Sequence, residues 1–243
     1  MIDYIITLLA SVIAILFVLV PHEYAHAFAA YKNGDWTAKL TGRLTLNPVK
    51  HFDLVGFLLC AFTGFGWAKP VPINPNNFRK YKKGLFTTAV AGVITNYIIS
   101  FICYPIALII FQYVIQMNIE YLMDHKALLY LAKFLYYVPM QIYAFGLTIF
   151  VFNLLPLNPL DGFRVVEALT SPFNRVRIFL QRYGSYILIG LIVESYICSM
   201  IQQFAGVDAI KYFNILGFYV QTVAKNVIGY PIHGFWDWIF GLF

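Results

Sequence analysis

Near the end of its first apolar run, this chain carries ionisable side chains where a hydrophobic helix should have none. Residues 4–20 are almost wholly apolar. The run then continues as Pro21-His22-Glu23-Tyr24-Ala25-His26-Ala27-Phe28-Ala29-Ala30 before the first lysine, Lys32. A helix over residues 3–31 is about 43 Å long at 1.5 Å per residue, more than the ~30 Å hydrocarbon core of a bilayer. His22 lies ten residues before Lys32, hence roughly 15 Å inside that end of the helix. Ionisable groups at such a depth are costly to place and mark function. Pro21, just before them, removes a backbone donor and predicts a local kink.

Composition supports the membrane reading. Charged residues make up 12% of the chain and hydrophobic ones 60%, whereas a soluble domain carries about 25% charged. The net charge of +6 resides in loops between apolar spans, so it points to cytoplasmic retention and not to nucleic acid. Cys60, Cys103 and Cys198 are widely spaced, with no CxxC pair, and imply neither a disulfide framework nor a thiolate metal site. A cleaved signal peptide does not fit the start. No basic region precedes the run, the run exceeds the usual ~7–15 residues, and apolar spans recur downstream.

The expected fold is an all-α polytopic membrane protein with four to six transmembrane helices. A small membrane-associated β insertion is expected between the first two. Residues 38–46 alternate at period two and read as a strand ended by Asn47-Pro48. Residues 54–62 are apolar but too short to span, as in a re-entrant or interfacial segment. Residues 64–73 have the Gly and Pro of an edge strand or extended loop and make a candidate wall of a site. Further helices are predicted over about 84–116 (kinked at Pro105), 134–155 and 183–205. A weaker apolar stretch covers 211–229, and the aromatic tail 230–243 reads as an interfacial anchor. We expect one domain over 1–243, with a core at about 1–182 and accessory C-terminal spans at 183–243. Nine Lys/Arg residues fall in 32–83, four in 159–182 and two in 116–133. That bias places the basic loops 32–83 and 159–182 in the cytoplasm and the N-terminus outside.

His22-Glu23-Tyr24-Ala25-His26 is an HExxH sequence. Positions i and i+4 share one helical face, so both imidazoles can aim at one point. Imidazole suits Zn2+, and a catalytic site needs a third protein ligand while leaving a fourth position for water. Zinc lowers the pKa of such a water to about 7, and Glu23 is placed to take its proton. A buried Glu without partners is disfavoured by several kcal/mol, which argues against a chance match. For the third ligand Asp161 is the leading candidate. It follows Asn153-Leu154-Leu155-Pro156-Leu157-Asn158-Pro159-Leu160, where prolines break the helix, and it precedes Gly162. Taken alone, Asp161 serves equally well as an N-cap for the helix that follows. Glu167 and Glu194 are rivals, and Glu194 is an otherwise unexplained acid within a span. His51, His125 and His233 fall in loops or the tail and read as ordinary.

HEYAH in the first span and Asn158-Pro159-Leu160-Asp161-Gly162 after a later one resemble the site-2 protease family of intramembrane zinc metalloproteases. Residues 47–56 are similar to that family's NPxxHxDPxG, with Leu54 in place of proline. Residues 64–72 (GFGWAKPVP) also match, and residues 91–96 resemble its AGPxxN, with Val93 in place of proline. The likeness covers roughly residues 15–170. It implies one Zn2+ per chain held by His22, His26 and Asp161, with Glu23 as base and Asn153 polarising the scissile carbonyl. Asn96 is a weaker candidate for that last role, and interhelical hydrogen bonding would equally explain both asparagines. The implied form is compact, without room for PDZ or CBS modules.

The expected function is therefore zinc-dependent intramembrane endopeptidase activity on a membrane-anchored protein substrate, within or beside its transmembrane segment. Strand addition to residues 64–73 would hold the unwound substrate. The expected setting is the lipid bilayer of a prokaryotic cell membrane, with the active site toward the cytoplasm and a homo-oligomer or regulatory membrane partner allowed. The alternatives are a non-proteolytic membrane zinc-binding protein and an ion or metal transporter. Both leave Glu23 without a task.

Overall fold

The computed structural model describes residues 1–51, 53, 56, 69–206, 210 and 212–241. Among the described residues, four helices are long and apolar enough to cross a membrane. They are α1 (Ile2–Lys32), α2 (Tyr81–Ile109, continued by a π-helical segment to Gln116), α3 (Lys126–Asn153) and, after the short α4 (Asp161–Leu169), α5 (Arg175–Ala205). The chain ends in α6 (Ile215–Thr222), a π-helical turn over Val223–Gly229, and α7 (Tyr230–Phe240). Helix α3 begins earlier than its hydropathy suggests. Lys126 and Lys133 lie in its first turns, and Lys133 reaches Asp3 of α1 at 2.7 Å. Long basic side chains near a helix end can carry their charge outward.

The bundle packs along rows of every fourth residue. On α1 the buried row is Ile6, Ala10, Ala14, Val18, His22, His26 and Ala30. On α2 it is Gly84, Thr88, Gly92, Asn96, Ser100 and Tyr104, and on α3 it is Pro139, Tyr143, Leu147 and Val151. Rows at i±4 are the ridges by which helices interlock. Small residues at these positions bring backbones together, which matters where lipid leaves no hydrophobic preference between helices. At Gly146 an added Cβ would stand 2.2 Å from Ser100 Oγ, so α3 approaches α2 there without a side chain. The histidines therefore lie on the same ridge that joins α1 to the bundle. The chain continues helically through Pro21, Pro105 and Pro139. The C-terminal helices close over α2 and α3: Ile232 is fully buried, and Trp236 Nε1 donates to the Phe101 carbonyl at 2.9 Å.

Between α1 and α2 the expected β insertion is not seen: among the described residues no strand occurs. Residues 38–46 instead form a helical turn, Thr37–Leu40, then a bend at Gly42 with φ +68°. The backbone N–H groups of Arg43 and Leu44 both turn back to the Ala38 carbonyl. Local turn bonding has outcompeted the alternation, because nine residues without a partner strand cannot make a ladder. The expected short apolar segment at 54–62, apart from Gly56, and residues 64–68 of the edge-like stretch 64–73 lie outside the described residues. The remainder of that stretch, Lys69–Ile73, is neither helix nor strand.

Buried polar groups hold this insertion in place of a sheet. Asp35 is fully buried and accepts from Thr37 N, Thr37 Oγ1, Asn74 N and Asn77 Nδ2. Arg43 donates to the carbonyls of Lys69 (2.7 Å) and Pro70 (3.2 Å). Burial pushes the Asp35 carboxyl up, and the hydrogen bonds more than reverse this, leaving it below its ordinary value. A lowered carboxyl contributes stability that is present above its unfolded value of about 3.9 and is lost as pH falls through the folded value. Asp35→Ala leaves four donor groups without their acceptor and is expected to destabilise the protein by about 3 kcal/mol at neutral pH. Reversible unfolding in mixed micelles checks this. The gap between Asp35→Ala and the unaltered protein should narrow below pH ~4.

Candidate metal centre

The convergence anticipated from sequence is present, and three elements build it. The buried row of α1 presents His22 and His26, each 4% exposed, toward the start of α4, where Asp161 is 8% exposed. His22 Nε2 and His26 Nε2 are 3.0 Å apart, and Asp161 Oδ2 lies 3.4 Å from the first and 3.0 Å from the second. Among the described residues this is the one group of three His, Cys, Asp or Glu side chains able to share a metal ion. The N-cap residue of α4 is Leu160, so Asp161 stands within the helix and its side chain does not cap it.

These residues fit a zinc ion on their own geometry. Ligands at zinc distances of about 2.0–2.1 Å in a tetrahedron stand about 3.3 Å from one another. Asp161 Oδ2 is buried and makes no hydrogen bond, an arrangement that is costly unless a cation faces it. Burial raises the Asp161 carboxyl, and the two imidazoles more than offset that, so it remains below the usual carboxylate range. Two nitrogens and one carboxylate oxygen are also the donor set that catalytic zinc accepts.

Two glycines make the approach possible. A Cβ on Gly162 would stand 2.4 Å from the carbonyl oxygens of Leu154 and Leu155, so only glycine lets α4 fold back under the end of α3. A Cβ on Gly92 would stand 2.4 Å from His26 Nε2 and 2.6 Å from His22 Cε1. Around the cluster, His26 Nδ1 meets the Thr88 carbonyl at 2.7 Å, and Asn96 meets His22 Nδ1 at 3.1 Å. From sequence, Gly92 and Gly162 stood only as members of motifs, without a packing role, and the Thr88 carbonyl was not singled out. The available signal was the four-residue spacing of Thr88, Gly92 and Asn96 along one face of an apolar helix.

Glu23 is half-buried beside the cluster, and its Oε2 accepts from the backbone N–H of Val71 at 2.9 Å. The irregular segment from Lys69 thus borders the site. Asn153 ends α3, with its amide donating to the Ile149 carbonyl at 3.1 Å. The rival acids are engaged elsewhere. Glu167 binds Arg177 at 2.6 Å, and Glu194 accepts from Ile215 N at 3.2 Å at the start of α6. His51 contacts the Thr45 carbonyl, His125 that of Tyr121, and His233 the Tyr143 hydroxyl.

Gly92→Ala is expected to lower zinc affinity at least about tenfold, because the new methyl displaces both imidazoles from their common point. Ile94→Ala serves as the control, since Ile94 is exposed on the same helix. Zinc retained after dialysis, measured by mass spectrometry, checks this.

Comparison with known proteins agrees with the geometry. The model of peptidase family M50 matches residues 10–192. A Bacillus subtilis (strain 168) protein named "Putative zinc metalloprotease YwhC" is 39% identical over 173 residues, covering 71% of this chain and 74% of that one. No solved structure matches. With His22, His26 and Asp161 all inside the matched region, this chain belongs to peptidase family M50, the site-2 protease family of membrane zinc metalloproteases.

Proposed function

We propose that this protein is an intramembrane zinc endopeptidase that cleaves a membrane-anchored protein in or near its transmembrane segment. The observation that carries the reading is the meeting of His22 Nε2, His26 Nε2 and Asp161 Oδ2 within 3.0–3.4 Å, with Glu23 next to His22 on the same helix. His22, His26 and Asp161 hold the metal. Zinc there supplies Lewis-acid activation of water at neutral pH.

Glu23 takes the proton of the attacking water on a carboxylate oxygen and later passes it to the leaving amine, the work of a general base and then a general acid. The Val71 N–H orients that carboxylate. Asn153 has two amide hydrogens. One that points away from Ile149 is suited to stabilise the oxyanion forming on the scissile carbonyl. The substrate's helical carbonyls are hydrogen-bonded, so the cleaved stretch must first unwind, and Lys69–Ile73, neither helix nor strand, offers backbone beside the base.

The same reading treats residues 1–243 as one domain, with the catalytic core at about 1–182 and accessory C-terminal spans beyond. The catalytic end faces the cytoplasm of a prokaryotic cell. Lys32, the basic run at 79–83, and Arg164, Arg175 and Arg177 all lie at the end of the bundle that holds the site, which favours that orientation. A homo-oligomer or a regulatory membrane partner is compatible with this arrangement.

Glu23→Gln is expected to reduce cleavage of membrane-anchored substrates by about 10²–10⁴-fold while leaving bound zinc unchanged. Purified protein, assayed with and without a chelator, tests this. Full activity in Glu23→Gln would overturn the protease reading.

A further inference from the structure

His22 and His26 are held from behind in different ways. A neutral imidazole has one N–H, so a ring that offers its Nε2 lone pair to a metal must carry its proton on Nδ1 and needs an acceptor there. His26 has one: the Thr88 main-chain carbonyl, 2.7 Å from Nδ1. Among the described residues, His22 Nδ1 meets no backbone acceptor. Its partner is the Asn96 side chain, fully buried on α2, with Nδ2 placed 3.1 Å away. Asn96 Oδ1 is meanwhile buried without a hydrogen-bond partner. In this arrangement an amide N–H would face the imidazole N–H.

The two ends of a carboxamide have nearly the same shape, and a half-turn about its bond to Cβ exchanges them. Turned so, Oδ1 accepts the Nδ1–H of His22, and the acceptor that stood alone gains its partner. We propose that Asn96 is the positioning residue for His22: it accepts the Nδ1 proton and thereby aims the Nε2 lone pair at the metal. Its place is one helical turn past Gly92 and two past Thr88, on the ridge that receives both histidines. This puts Asn96 behind the ligand, on the Nδ1 side of the His22 ring. Partners of this kind fix both the tautomer and the ring orientation of a metal-binding histidine.

The inference rests on His22 being a zinc ligand, and the test keeps the two claims apart. Zinc dissociation constants are measured by chelator competition on purified full-length protein. Asn96→Leu, similar in volume but lacking an acceptor, is expected to bind zinc roughly 10–100-fold more weakly. Asn96→Asp keeps an acceptor oxygen and is expected to stay within about threefold of the unaltered protein. The visible spectrum of the cobalt-substituted protein should change in Asn96→Leu and be restored in Asn96→Asp, a rescue that general loosening of the bundle would not give. Should Asn96→Leu fail to accumulate, Asn96→Ala takes its place in the comparison. Undiminished zinc affinity without the acceptor, or Asn96→Asp as weak as Asn96→Leu, overturns the proposal. His22→Ala with unchanged zinc affinity would instead overturn the ligand assignment.

Discussion

Three lone-pair-bearing atoms pressed together in an apolar interior set the terms for the rest of this protein. His22 Nε2, His26 Nε2 and Asp161 Oδ2 lie within 3.0–3.4 Å of one another, with little exposure to water. With all three lone pairs turned inward such atoms repel, and hydrocarbon offers no solvent to separate them. A cation between them turns the arrangement from a liability into a clamp that joins α1 to α4. The neighbouring structure serves that clamp. Helix α2 gives up a side chain at Gly92 to admit the imidazoles, and Gly162 lets α4 pass close beneath the end of α3.

The insertion between α1 and α2 shows a second way of ordering backbone at a membrane. Side chains do the work that a sheet would otherwise do. Asp35 gathers donors from both arms of the loop, and Arg43 holds the Lys69 and Pro70 carbonyls. The next residue, Val71, presents its N–H to Glu23. The base is thus oriented by a segment whose own position depends on Arg43.

Much of this was legible in the sequence, and the parts that were not share a cause. The spans stand out because lipid selects on composition, and HExxH stands out because charge within such a span needs a reason. Asp161 was ambiguous by itself, since a carboxylate at the start of a helix caps as readily as it ligates; its partners were decided by the fold. The strand expected at 38–46 failed because alternation records which side chains face alike, not whether a neighbouring strand exists. Glu194, puzzling as an acid within a span, accepts the first N–H of α6, a contact 21 residues away that no local pattern announces. Asn96 was noticed, but a lone amide in an apolar helix carries no sign of which neighbour it faces.

The cluster is divided along the chain as well as across the bundle. Its histidines belong to the first helix, whereas Asp161 follows the third membrane-crossing helix. During synthesis the early part of the protein therefore enters the bilayer with only two of the three groups. The third arrives after α2 and α3 have been threaded and packed. A chain released early, or one whose later helices fail to insert, retains HExxH yet lacks the complete clamp. The order of the sequence thus leaves the cluster incomplete until the third of these helices and α4 are in place.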